Sequence, residues 1–184
     1  MASLPKSASV TYEEWLRMPI VDGVEEVVDG EIQIMPPNKW RHADIVENLR
    51  DALISQLDRK VVRVRIANFG LIVRKKPLVS RVPDLAVFEL DTMVQEDGYI
   101  HSAPQLIAEV LSPANSRRER EEKLADYASM GVPEVWVVSP EARTVEVLLL
   151  NELRLLRSAI LAEGLLKPTR FPHVQLDICT IWPD

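Results

Sequence analysis

The sequence predicts an α/β fold in which a mixed central β-sheet is flanked by helices. Short apolar runs of strand length alternate with helical repeats, in the order strand pair, helix, strand pair, strand, strand, helix, strand. The runs 84–89 and 106–111 are apolar enough to be central strands. A helical stretch at 117–130 separates 106–111 from 134–138. That is crossover geometry, which sets those two strands parallel and close, with a right-handed connection.

The elements follow in order. Thr11 caps a short helix, and Glu14 three residues later completes a capping box. The helix ends before Pro19. Residues 25–28 and 31–35 read as strands joined by Asp29-Gly30, a strong hairpin signal, and Pro36-Pro37 stops the second. From 40 to about 57, Ile45, Val46, Leu49, Leu53, Ile54 and Leu57 recur at helical spacing. Residues 61–67 alternate, with Val62, Val64 and Ile66 on one face and Arg63 and Arg65 on the other, as in a half-buried strand. Asn68-Phe69-Gly70 turns the chain and 71–74 returns. A loop of about 90–104 separates the two central strands. Residues 112–116 break the second of them and cap helix 117–130, which Gly131 closes. Strand 134–138 ends at Ser139-Pro140. Residues 144–150 and 153–160 form a hairpin around Asn151-Glu152, and the tail from Phe171 to Trp182 packs on the body.

The 184 residues suit a single domain, with a core over about 12–140 and a β-rich C-terminal extension over 141–184. Cys179 is the single cysteine, which rules out an intrachain disulfide framework and fits a reducing compartment. The N-terminus lacks the apolar core of a signal peptide. Apolar runs fall far short of the roughly 20 residues of a membrane span. A cytoplasmic protein without membrane contact is expected. The net charge of −6 argues against a protein that coats nucleic acid. From Arg59 to Arg81, however, there are eight basic residues and no acid. Among them Arg63, Arg65, Arg74 and Lys75 are candidates for binding nucleic acid. Charge protecting a sheet edge is the alternative explanation of this strip.

The chemistry centres on Asp84 and Glu109. Asp84 opens one apolar run and Glu109 interrupts another. A carboxylate inside a buried strand is costly unless it is paired or bound to a cation. Two on neighbouring strands, with the backbone carbonyl of Val110 as a third ligand, suit Mg²⁺, for which Mn²⁺ is a substitute. Lys123 is placed to position or polarise a water. That set of groups is what hydrolysis of a phosphodiester requires. Taken singly, Asp84 also reads as a turn residue, Glu109 as an ion-pair partner and Lys123 as part of a solvated helix face.

A wider set of landmarks runs through the chain. It comprises Glu26-Val27-Val28-Asp29-Gly30-Glu31-Ile32, Met35-Pro36-Pro37, His42, Pro83-Asp84-Leu85 and Pro104-Gln105-Leu106. Glu109-Val110-Leu111-Ser112-Pro113, Lys123 with Tyr127, and Gly131-Val132-Pro133-Glu134-Val135-Trp136 complete it. In these residues the chain resembles the Uma2 family of endonucleases, within the PD-(D/E)xK nuclease superfamily. The resemblance covers about 12–140 and continues more weakly through Trp182. It implies a restriction-endonuclease-like fold, in which Asp84 and Glu109 match the metal-binding carboxylates. Leu111 stands where the usual motif has lysine, and Lys123 looks like the migrated catalytic lysine. Glu26 matches an acid that joins the site from the N-terminal region, and His42 a histidine near it. Ser139 departs from the aspartate common at its position. The resemblance implies a Mg²⁺-dependent DNA endonuclease acting as a homodimer. The alternatives are a non-catalytic nucleic-acid-binding protein and a protein-interaction module that keep the fold.

Overall fold

A computed structural model describes residues 9–19, 23–35, 37, 39–67, 69–113 and 116–183. The strand stop at Pro36, the turn residue Asn68, the loop residues Ala114 and Asn115, and the N-terminal residues 1–8 lie outside that set. The fold is mixed α/β, with two six-stranded sheets, a two-stranded ribbon and few helices.

The first sheet is built on α1 (Tyr12–Trp15), β1 (Val24–Val28) and β2 (Glu31–Met35). The Thr11–Glu14 capping box forms as expected. Asp29 and Gly30 both take positive φ, +50° and +83°, the backbone that a tight two-residue hairpin demands. Next come α2 (Trp40–Ile54) and β3 (Val62–Ile66). The expected return of 71–74 onto β3 does not occur. Instead β4 (Leu71–Lys75) turns at Lys76-Pro77 into β5 (Leu78–Arg81), and both join the first sheet, β5 beside β1 and β4 beyond it. Two further strands, β7 (Gln95–Glu96) and β8 (Tyr99–Ile100), lie within what reads in sequence as loop 90–104, and they complete that sheet.

The second sheet has the order β12-β11-β10-β9-β6-β3. Its centre is β6 (Leu85–Glu89) antiparallel to β9 (Leu106–Val110), which is parallel to β10 (Glu134–Ser139). Helix α3 (Arg117–Met130) makes the crossover between β9 and β10. It starts at a Ser116–Glu119 capping box and ends at Gly131 in the left-handed region. The hairpin of β11 (Thr144–Asn151) and β12 (Arg154–Leu161) extends the same sheet.

Period-2 alternation divides the second sheet into two apolar faces. Leu85, Val87, Leu106, Ala108 and Val110 face α2 residues Ile45, Leu49 and Leu53. On that face the tail residues Phe171, Val174, Ile178, Ile181 and Trp182 seal the core. Ala86, Phe88, Ile107, Val135 and Val137 face the other way, toward Tyr127 of α3 and Leu71 of β4. Glu134, buried in β10, accepts from Trp136 Nε1 at 2.6 Å and Thr169 N at 2.7 Å, so it ties the tail to the sheet. The connection from β5 to β6 is only Val82-Pro83-Asp84. It carries the chain from one sheet into the other and brings the two together at one point.

Candidate active site

That crossing point gathers the charged groups. Leu85 pairs with Ala108, so one step outward, just before β6 begins, Asp84 comes up beside Glu109. The Glu109 side chain lies on the α3 face of the sheet, where Lys123 and Tyr127 reach it. Asp84 is locked from two sides. Its Oδ1 meets His42 Nε2 at 2.9 Å, and its Oδ2 accepts from Val110 N at 2.8 Å. His42 reaches it from the first turn of α2. The N–H and C=O of one strand residue point to the same side. The Val110 carbonyl is therefore aimed beside Asp84, past the start of β6.

Glu109 accepts a hydrogen bond from the Tyr127 hydroxyl on Oε1, and Lys123 Nζ lies 3.4 Å from Oε2. Lys123 and Tyr127 are four residues apart on α3, so they share a face and reach the same carboxylate. Lys123 Nζ also lies 2.9 Å from Glu26 Oε1. Glu26 comes from the first sheet. Val27 pairs with Ser80, which puts Glu26 opposite Arg81, whose Nη1 donates to Oε2 at 2.9 Å. Val82 N adds a third bond at 3.1 Å. Arg81 is gripped on its far side by Asp126 of α3, at 2.7 and 2.8 Å.

The burial of these charges sets their proton affinities. Burial pushes the Glu109 carboxyl up to about 7. Lys123 and the Tyr127 hydroxyl oppose that rise, and the neighbouring Asp84 and Glu26 charges add to it. Burial works against the Lys123 ammonium, but Glu109, Glu26 and Asp84 outweigh it and hold its pKa above the ordinary lysine value. Burial and the Glu109 and Glu26 carboxylates raise the Tyr127 phenol well above its usual range, against the Arg81 charge. Lys123 is thus held as a cation, while Glu109 keeps its proton to higher pH than an ordinary carboxyl.

The family model for Uma2, described as "Putative restriction endonuclease", matches residues 12–179. The chain belongs to the Uma2 family. Among solved structures, a "putative nuclease belonging to DUF820" from Anabaena variabilis shares the fold, with a TM-score of 0.77 at 21% identity. The match covers 94% of this chain and 97% of that one. No curated protein matches.

The Uma2 landmarks converge in space. Glu109, Lys123 and Glu26 form one ion-paired set, and His42 with Asp84 forms a second beside it, close enough for the Asp84 charge to raise the proton affinity of Glu109. Arg63 and Arg65 are exposed on edge strand β3, opposite Phe88 and Ala86, and so lie on the same sheet face as Glu109. Arg74 and Lys75 are placed differently. Arg74 bridges Asp126 and Asp29, and Lys75 pairs with Glu96 at 2.9 Å. Both belong to the first sheet and both are committed to carboxylates. Ser139 ends β10 with its hydroxyl accepting from Ala142 N.

Sequence reasoning left out two members of the cluster. Arg81 reads as one more cation of a basic strip, yet it is buried between Glu26 and Asp126. Asp126 reads as a solvated acid of α3. Its one signal is its place three residues after Lys123, on a neighbouring part of the helix surface. Tyr127 reads as core. It is fully buried, and its hydroxyl also orients Glu109.

Proposed function

We propose that this chain is a Mg²⁺-dependent endonuclease that hydrolyses phosphodiester bonds of DNA. The observation that carries the reading is the cross-strand pair Asp84–Glu109, with Lys123 held between Glu109 and Glu26. Two carboxylates and the Val110 carbonyl form an oxygen-only donor set, suited to a hard cation rather than to zinc. Each carboxylate oxygen has one protein partner and keeps acceptor capacity for a second. The residues present therefore fit a divalent cation. When bound, Mg²⁺ supplies charge neutralisation on the phosphoryl oxygens and a more acidic water.

The protein's own share is positioning and charge. His42 and the Val110 amide hold Asp84 in one rotamer. Tyr127 does the same for Glu109. Glu26 is saturated by Arg81, the Val82 amide and Lys123, so its role is to hold the ammonium at the site. Lys123 stabilises negative charge that develops on the attacked phosphoryl group and orients the water. Its place on α3 lets it do so although Leu111 stands in the usual lysine position. Arg63 and Arg65 guide the nucleic-acid backbone along the same face.

We further read the protein as a cytoplasmic homodimer. The exposed free thiol of Cys179 suits a reducing compartment. Cutting both strands of a duplex with a site of this kind calls for two copies. The test of function is cleavage of a labelled duplex with Mg²⁺, with Mn²⁺ and with EDTA. Cleavage should require the metal and vanish in Asp84→Asn and Glu109→Gln. Wild-type protein that binds no Mn²⁺ at this pair would remove the reading.

A further inference from the structure

Helix α3 turns a sharply graded face toward the sheet. Tyr127 is buried, Lys123 reaches the carboxylates, and Arg120 lies one turn further out. Residues three apart on a helix are neighbours. Arg120 lines the cavity that also holds Glu26, Glu109 and Lys123. It lines as well the adjoining hollow formed by Leu111, Ser112, Ser116 and Arg117. It is thus the wall between the site and the next space along the surface.

The other cations of α3 are matched. Arg117 pairs with Glu121 and Arg118 with Glu122, each four residues on, and Lys123 pairs with Glu26 and Glu109. Arg120 has no such partner at helical spacing, because Leu124 stands four residues on and Ser116 four residues back. The nearby acids are engaged elsewhere, Glu119 in the helix cap and Glu122 with Arg118. Among the described residues the Arg120 guanidinium makes no ion pair, and its Nε is buried without any acceptor. A buried donor left unmade is a standing cost to the fold. Such a group is retained where an acceptor arrives with a ligand.

Building on the nuclease reading, we propose that Arg120 grips a phosphate of the substrate strand next to the one hydrolysed. The hollow beyond it is then the seat of that neighbouring phosphate. Arg120 and Lys123 are about 4.5 Å apart along the helix axis and neighbours on one helix face, so both are placed along the path of a single strand. The planar fork of guanidinium suits a phosphate's paired oxygens, and Nε–H is one tine of that fork. Arg120 is a substrate-positioning residue, and Lys123 remains the group beside the reacting phosphoryl.

The experiment is fluorescence anisotropy of a labelled duplex oligonucleotide with the full chain in Ca²⁺, which takes oxygen ligands as Mg²⁺ does. Affinity is measured across a salt series for wild type, Arg120→Met, Arg120→Lys and, as control, Arg118→Met. Arg120→Met should bind roughly tenfold more weakly, with a log–log salt slope smaller by about 0.9. Its thermal midpoint should be unchanged or higher, because an unsatisfied donor has gone. A purely structural arginine would lower it. Arg120→Lys should keep the slope while losing affinity, and Arg118→Met should match wild type in both. If Arg120→Met does not fold, Arg120→Lys decides alone, and wild-type affinity there overturns the proposal. Wild-type affinity and slope in Arg120→Met overturn it too, with the nuclease reading intact. Wild-type protein that binds no duplex at all overturns both.

Discussion

At the scale of single residues, the site is a balance between like charges and one ammonium. Lys123 is 20% exposed and neutralises Glu26 and Glu109 together. Lys123→Ala should abolish cleavage, since it removes charge stabilisation near the reacting centre. It should also destabilise the fold by about 2–3 kcal/mol, somewhat less than breaking a fully enclosed pair. That loss should shrink near pH 5, where the stranded carboxylates can protonate. Thermal melts of the variant at pH 5 and pH 8 check this, and a larger loss at the lower pH would contradict it. Lys123→Arg should rescue poorly, because guanidinium is not a compact point charge. Glu109 supplies the pH dependence. Its folded pKa, raised to about 7, lies above the unfolded value of 4.5. The proton it holds therefore stabilises the metal-free fold fully below about 4.5, and that contribution is lost as pH rises through 7. Metal must displace the same proton, so Mn²⁺ affinity should climb with pH up to about 7 and then level off. Calorimetric titrations from pH 5 to 8.5 on wild type and Glu109→Gln check both, and the variant should bind weakly with little pH dependence.

At the scale of elements, three segments must arrive together. The β1 hairpin delivers Glu26, the end of β5 and its connection to β6 deliver Arg81 and Asp84, and α3 delivers Lys123, Asp126 and Tyr127. Arg81 is the strut between them, bonded to Glu26 across the strand pair and to Asp126 on the helix. Arg81→Met should cost about 3 kcal/mol, because two carboxylates lose a shared cation in a buried place. It should also lower kcat more than it raises KM, since Glu26 and through it Lys123 lose their support. Arg81→Lys should recover stability in part, because it restores charge but cannot span both carboxylates with a fork. The helix that carries Lys123 depends on its cap as well. Ser116→Ala removes the acceptor for the Glu119 amide and should cost about 1 kcal/mol, read as a shift in denaturant midpoint.

At the scale of the whole molecule, the distribution of charge matters more than its sum. The chain is acidic overall, yet Arg63 and Arg65 are exposed on the sheet face that carries Glu109. Replacing both with alanine should weaken duplex binding and reduce the log–log salt slope by about 1.8, two phosphate contacts' worth. Replacing Lys75 should do less, as it is paired with Glu96. Equal effects of the two changes would mean that the surface path of the DNA lies elsewhere. The homodimer reading is checked by sedimentation equilibrium, where twice the chain mass of 20.9 kDa is expected.

Local chemistry made much of this protein legible from its sequence. The capping box at Thr11, the cap that precedes helix 117–130, the Asp29-Gly30 turn, the Gly131 stop and the crossover between parallel strands each depend on residues close together in the chain. Asp84 and Glu109 stood out because a carboxylate in an apolar run needs a reason. The β3–β4 return was misjudged for a related cause. Alternation shows that a segment is a strand but not which strand it joins, and here the turn after β3 leads into the other sheet. Arg81 and Asp126 were illegible for the same reason. A cation in a basic strip and an acid on a charged helix look solvated until pairing of Val27 with Ser80 and packing of α3 enclose both. Only the tertiary structure could decide that, because burial is set by what lies across the sheet and not by neighbours in the chain.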